Sequence, residues 1–540
     1  MTPFQQFRLW LTRAPAAERI GTGMVGLLVL GLLAWALVPS GAPAGSSLLT
    51  GAPQPATSTP APAPPAGTTP TTTAAAATPA PASQAAETAP APLGSPTGPA
   101  PGVAAPAARA GSARVASGQG RRAAASSGGA TRPVSASPAC GPHGSTDQGV
   151  TSTQIRVGVV LLDLAGQAGN TLVGYPTPQQ QQGDYQAVID AANKAGGVQC
   201  RTLVPVFYQA NPLSTSEEQA TCLQMAQDQL FAAISVGFDG PPYEDCPAQN
   251  KIPTILELPL APSEIHQFYP YLFTAAAQWE QLMSNYVLAL HEMGWLQAAG
   301  KIGVLEEDCN PSLNTYLLSH LASVGVRSSS LTTFDYGCPG SLVPPNEIEE
   351  AVLEFKTAGV TNVMDADTVS ENDFSKEAQI QDYHPKYSGP DGGMVASFDS
   401  AEFAPDATNF NGAIAITAAQ WGAPQTPGVP VTPATQGCDS VLARAGLPSA
   451  ETSPDGAGGM ACDLVDMLVA AADHDVPLTR LGLATGLDRV GNFAFSYPQG
   501  PADFSGAGVM NGGQFWRADV YDGSCPCFKV LKAAFQPSFT

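Results

Sequence analysis

From residue 155 onward the chain alternates short apolar runs with amphipathic stretches, and this alternation limits the fold more than any other feature. Residues 155–162 (IRVGVVLL) are apolar almost throughout, the pattern of a strand buried on both faces of a parallel sheet. Residues 183–195 (GDYQAVIDAANKA) carry helical periodicity and run into Gly196-Gly197, a glycine stop. A strand at 203–208, a helix at 216–229 with Ser214 or Ser216 as cap, and a strand at 232–238 follow. The pattern continues through strand 252–256, helix 278–293, strand 301–305, helix 312–325, strand 329–334, helix 347–358 and strand 362–366. Repeated β–α units of this kind predict an α/β chain with doubly wound parallel sheets, helices covering both faces. The units are too many for one small sheet. Two lobes are expected, with a crevice outside the carboxyl ends of their strands.

The preceding quarter of the chain has a different character. Residues 39–139 are almost entirely Ala, Pro, Thr, Ser and Gly, with no aromatic residue. Such a segment cannot bury enough apolar surface to offset the entropy of ordering its backbone, so a disordered linker is expected there. As a flexible coil of about 100 residues it would span roughly 50–60 Å. The charge divides at the same place. Residues 1–139 hold eight Arg and no Lys against Glu18 and Glu87, a balance of +6; the whole-chain value of −22 then leaves −28 on residues 140–540. An acidic surface of that size is repelled by phosphate, which argues against nucleic acid or anionic lipid as a partner.

Residues 20–38 (IGTGMVGLLVLGLLAWALV) form an uncharged run of 19 residues, about 28 Å as a helix and close to one hydrocarbon core. Arg8, Arg13 and Arg19 precede it, and no basic residue follows until Arg109. The positive-inside rule then predicts a cytoplasmic N-terminus (1–19), a single-pass anchor in the cell membrane (20–38) and an extracellular remainder. A cleaved signal peptide is the competing reading, with Ala42-Pro43-Ala44 as a cleavage site and a secreted product. All ten cysteines lie from Cys140 onward, widely spaced, which fits disulfides in an oxidising compartment.

Six stretches give the globular part, 140–540, a resemblance. They are GVTSTQIRVGVV at 149–160, GDYQAVIDAANKAGGV at 183–198, AAISVGF at 232–238, KIPTI at 251–255, KIGVLEED at 301–308 and GQFWRADVYDG at 513–523. In order and spacing they resemble the type I periplasmic binding proteins, in particular the branched-chain amino-acid (Leu/Ile/Val) substrate-binding proteins of ABC transporters. The resemblance implies two lobes joined by a three-strand hinge, crossing near 273–276, 412–419 and 515–520. Lobe one would then comprise about 150–274 and 420–514, and lobe two about 275–419 and 515–540. It also implies a bridge between Cys222 and Cys246. Cys309–Cys338 and Cys438–Cys462 are the next pairs by proximity, and Cys140, Cys200, Cys525 and Cys527 are left with three connectivities.

Residues just beyond the strand ends are the candidates to meet a ligand. In lobe one these are Leu162 and Asp163, then Phe238, Asp239 and Gly240, then Leu260 and Ala261. In lobe two they are Ala275, Ala276 and Ala277 at the first crossing, Asp308, Asp365 and Asp367, and Asp399, with Trp421 as an aromatic wall. The family's amino-acid binders hold the ligand carboxylate with hydroxyls and backbone amides after the third strand. Here that place reads Asp239-Gly240-Pro241-Pro242, with no hydroxyl and two residues that lack an N–H. The family's acid that grips an ammonium has its counterpart in Asp399. This combination counts against a standard amino acid and leaves a neutral polar or cationic molecule at least as good a fit.

No G-x-S-x-G elbow, P-loop or H-E-x-x-H occurs, and the G-x-G-x-x-G at 21–26 lies inside the apolar run, after no strand. The six histidines are scattered, Glu306-Glu307-Asp308 reads as a solvated strand end, and Cys525-Pro526-Cys527 reads as structural. No catalytic residue, metal or cofactor is expected. The expectation is a binding protein that takes up a small polar solute for an ABC permease; the alternative is an anchored sensory or scaffold ectodomain.

Overall fold

The computed structural model describes residues 144–164, 170, 175–211, 214–236, 241–306, 311–336, 345–366, 370–390, 404–418, 426–450, 452–453, 456–506, 508–532 and 534–539. The 20–38 run, the 39–139 segment, Cys140, Cys309 and Cys338 lie outside them. Among the described residues no helix is long and apolar enough to cross a membrane.

The first sheet is built from β1 (Gln154–Leu162), β2 (Thr202–Ala210), β3 (Ala232–Ser235), β4 (Thr254–Leu256) and β5 (Leu272–Thr274). It is parallel throughout, in the order β2-β1-β3-β4-β5. Between these strands run α1 (Pro178–Lys194), α2 (Thr215–Gln227), α3 (Pro241–Gln249) and α4 (Pro262–Phe268). Helix α1 begins five residues before its apolar periodicity does. Thr177 and Gln180 form a capping box and Pro178 stands in the first turn, so a local cap sets the start. Strand β3 ends at Ser235, three residues short of the expected 238. Pro241-Pro242, expected in a strand-end loop, instead open α3. Proline is tolerated there because the first-turn donors of a helix have no intrahelical acceptor anyway.

The second sheet follows α5 (Trp279–Glu292). Strands β6 (Ile302–Glu306), β7 (Leu331–Asp335), β8 (Asn362–Asp365), β9 (Lys386–Gly389) and β10 (Ile414–Thr417) pair in parallel, with α6 (Pro311–Ser323), α7 (Pro345–Ala358) and α8 (Ser370–Ile380) as connections. The chain then returns to the first sheet. Helices α9 (Pro433–Arg444), α10 (Ala457–His474) and α11 (Leu483–Val490) share one apolar core with β1–β5. After the short hairpin β11–β12 (Asn492–Phe493, Ala502–Asp503) the chain re-enters the second sheet as β13 (Phe515–Asp522) and β14 (Cys527–Val530), with β15 (Gln536–Pro537) against β13. Both β13 and β14 run antiparallel, so the second sheet is mixed, where a parallel one was expected. For β14 the reason is local: the β13–β14 hairpin needs only a short turn, whereas a strand parallel to β13 would need a crossover connection.

Two cores cover the faces of the second sheet. One joins α5 and α6 to Val304, Met364, Ile416 and Ala518; the other joins α7 and α8 to Leu305, Val363, Tyr387 and Tyr521. Cys222 is bonded to Cys246, tying α2 to α3 (Cα–Cα 6.2 Å), and Cys438 to Cys462, tying α9 to α10 (6.0 Å). Of the cysteines left open by sequence, Cys525 and Cys527 are bonded to each other, and Cys200 is also in a disulfide.

Candidate functional site

The two sheets meet where the chain crosses between them. Thr274, the last residue of β5, bridges in parallel to Asn511, just before β13, and Leu260 bridges to Gln278. The crossing is tightly stitched. Thr274 Oγ1 donates to Leu258 O (2.6 Å) and accepts from Ala276 N–H (3.0 Å), while Gly512 N–H donates to Thr274 O and Ala276 O (both 3.0 Å). Ala275 N–H donates to Leu256 O (2.8 Å), and its carbonyl accepts from Gln499 Nε2 (3.0 Å). Gly513 admits no side chain, because a Cβ there would stand 2.4 Å from Ala277 N. Of the candidates at this crossing, Ala275, Ala276 and Ala277 therefore form the joint itself, with Ala275 and Ala277 buried.

At the carboxyl end of β1, Leu162 is buried and its peptide groups are taken up by two side-chain amides. Gln181 Oε1 accepts from Leu162 N–H (2.9 Å), and Leu162 O accepts from Gln181 Nε2 and Asn170 Nδ2 (both 2.9 Å). Asp163 follows, half-buried, its N–H donating to Ala210 O (3.0 Å). Leu260 is buried, and Ala261 caps α4, donating its N–H to Glu264 Oε2 (2.7 Å). In the second sheet Asp365 closes β8, fully buried, and its Oδ2 accepts from Glu371 N–H at the start of α8 (3.1 Å). A carboxylate at a helix N-terminus satisfies a donor and complements the helix dipole. Phe238, Asp239, Gly240, Asp308, Asp367, Asp399 and Trp421 lie outside the described residues.

The structure adds polar groups near these strand ends that strand-end position alone did not single out. Ser235 is the last residue of β3, buried, and its Oγ makes no hydrogen bond. Neither carboxyl oxygen of buried Glu371 makes one of good geometry. Burial pushes the Glu371 carboxyl well up, and the Asp365 charge adds to this. Tyr286, on α5, donates to Ser388 O and is pushed well above the usual phenol range, first by burial and then by Glu371. Arg517 faces Thr417, the last residue of β10, across the antiparallel pair. Its Nε lies 3.3 Å from Asp519 Oδ2, both side chains are fully enclosed, and Nη1 and Nη2 make no hydrogen bond. The signal for this pair was present in FWRADVYD: residues two apart on a strand share a face. No group of three His, Cys, Asp or Glu side chains among the described residues is placed to hold a metal ion.

No protein-family model matches the chain, and no curated protein matches it. Solved structures do. A fatty acid ABC transporter substrate-binding protein from Thermomonospora curvata superposes with a TM-score of 0.53 at 14% identity, covering 72% of this chain and 94% of its own. A branched-chain amino acid transporter substrate-binding protein from Streptococcus pneumoniae, in complex with isoleucine, gives 0.51 at 14%, covering 71% and 100%. The chain has the type I periplasmic binding fold. A third example of this periplasmic binding fold, an ABC transporter solute-binding protein from R. palustris in complex with 4-hydroxybenzoate, gives 0.52 at 13%, covering 71% and 97%. The likeness covers 94%, 100% and 97% of these three structures, so both sheets of the periplasmic binding fold are represented here.

Proposed function

We propose that the chain is an extracellular small-molecule binding protein, the substrate-binding component of an ABC-type importer, which closes two lobes over a small polar solute. The observation that carries this reading is a pair of sheets, one parallel and one mixed, that are joined at the Thr274–Asn511 crossing. In open α/β sheets ligands bind outside the carboxyl ends of strands, and hinged lobes close around them. Buried polar groups near those ends with unused hydrogen-bonding capacity, Ser235 in the first sheet and Glu371 and Arg517 in the second, support a polar solute. Known proteins of like fold carry ligands as different as isoleucine and 4-hydroxybenzoate, so the fold itself leaves the chemical class open. In this reading the lobes comprise 150–274 with 420–514 and 275–419 with 515–540. The chain binds without catalysing a reaction.

The uncharged 20–38 run supports a second element of the proposal, a single-pass anchor with the N-terminus cytoplasmic and 39–139 as a stalk. An anchored domain of this kind also suits a sensory or scaffold role, reporting ligand to a membrane or cell-wall partner.

A thermal-shift screen of the purified chain against small polar metabolites tests the binding reading. A true ligand at a hundred times its Kd adds about 2.7 kcal/mol, a rise of about 3 °C or more for a domain of this size. A screen spanning amino acids, aromatic acids, sugars and polyamines in which no compound moves the transition would contradict it.

A further inference from the structure

The bridge between Cys525 and Cys527 differs in kind from Cys222–Cys246 and Cys438–Cys462. Those two each join residues 24 apart and lie buried between helices. Cys525–Cys527 joins residues 2 apart, at the tip of the β13–β14 hairpin, where Cys525 and Pro526 are exposed and Cys527 is half-exposed. The constraint a cross-link places on the unfolded chain grows with the loop it closes, so this bridge restrains the chain least.

The tip is also held without it. Gly523 N–H donates to Asn411 Oδ1 (2.9 Å), Gly412 N–H to Tyr521 O (2.9 Å) and Cys525 N–H to Asp522 O (3.1 Å). Lys529 pairs with Asp522 across the hairpin, and the Tyr521 and Phe528 rings meet edge-on at 5.4 Å. A disulfide that is open to solvent, closes a minimal loop and is not needed to hold its own turn is suited to exchange.

We propose that Cys525–Cys527 is a thiol–disulfide exchange site that accepts two electrons from a dithiol. A thiolate of the dithiol attacks Sγ of Cys525, the more exposed of the two residues. The Cys525–Cys527 bond breaks as the mixed disulfide forms, and Cys527 leaves as a thiolate that takes a proton from water. The second thiol of the partner then attacks its own sulfur in the mixed disulfide. Cys525 is released as a thiol, and the partner leaves as a disulfide. The tip stands at the end of β13 remote from the crossing, about 25 Å along an eight-residue strand. Exchange there is therefore independent of the ligand reading.

The test uses the purified full chain under native conditions, treated with graded dithiothreitol or reduced thioredoxin, alkylated and mapped by peptide mass spectrometry. Cys525 and Cys527 are expected to label at reductant levels about tenfold or more below those needed for Cys222, Cys246, Cys438 and Cys462, with the circular dichroism unchanged. Selective reduction by thioredoxin as well as dithiothreitol identifies a protein dithiol as a competent partner; reduction by dithiothreitol alone points to a small dithiol. A reduced thioredoxin whose second, resolving cysteine is replaced by Ser is expected to be trapped as a mixed disulfide through Cys525, because no second thiol is left to release it. Labelling of all the bridges together, or loss of the folded spectrum at the reductant level that opens this one, would overturn the proposal.

Discussion

Replacing Asp184 by Asn is expected to remove most of a loss of stability, on the order of 4 kcal/mol, that the native chain undergoes as pH rises from 4 to 7. Asp184 lies on α1, buried against the first sheet's core, and burial raises its carboxyl from 3.8 to about 7. Between those values the folded chain holds a proton that the unfolded chain has released. Its contribution is therefore fully present below pH 3.8 and is lost as pH rises through about 7. Asn keeps the shape and has no proton to lose. Denaturant unfolding of both proteins from pH 4 to pH 8 checks this: Asp184→Asn should match the native chain at pH 4 and exceed it at pH 8. Asp463 and Glu371, also pushed up by burial, leave a residual slope of the same sign. Parallel pH profiles for the two proteins would show that Asp184 is not the source.

The second large effect is expected at the mixed edge of the second sheet. Arg517 and Asp519 are enclosed together on β13, and cutting Asp519 back to Ala leaves a buried guanidinium without its counter-charge. The loss should be about 3–5 kcal/mol, whereas Arg517→Met combined with Asp519→Val should fall within roughly 2 kcal/mol of the native chain. A double-mutant cycle of Arg517→Met, Asp519→Val and the two combined, read by denaturant unfolding, gives the coupling between the two sites. Additive single effects would mean that the two charges do not act as a pair.

Where the strand–helix alternation is regular, sequence and structure agree closely. The strand read at 155–162 is observed at Gln154–Leu162, and the helix read at 278–293 at Trp279–Glu292. Agreement fails where local chemistry overrides periodicity, as at the Thr177 cap of α1 or the proline start of α3. It also fails where alternation stops. Helix α10 (AGGMACDLVDMLVAAADH) is buried nearly all round and follows another helix, so no strand marked its place. The strand ends themselves were legible in the sequence, but the groups packed around them were not. Gln181 holds Leu162 across 19 residues, and Glu371, at the start of α8, donates its N–H to Asp365. Such pairings exist only once the sheet is assembled. Arg517 and Asp519, two apart on a strand, could have been read as a pair.

The account rests on one solute engaging the strand ends of both sheets at once. Amide hydrogen exchange, run with and without the metabolite that most raises the melting temperature, tests this directly. The account predicts slowed exchange together at residues 162–164 and 275–277 beside the first sheet and at 365–366 and 417–418 in the second. Slowing confined to one sheet, or located away from the strand ends in both, would contradict it.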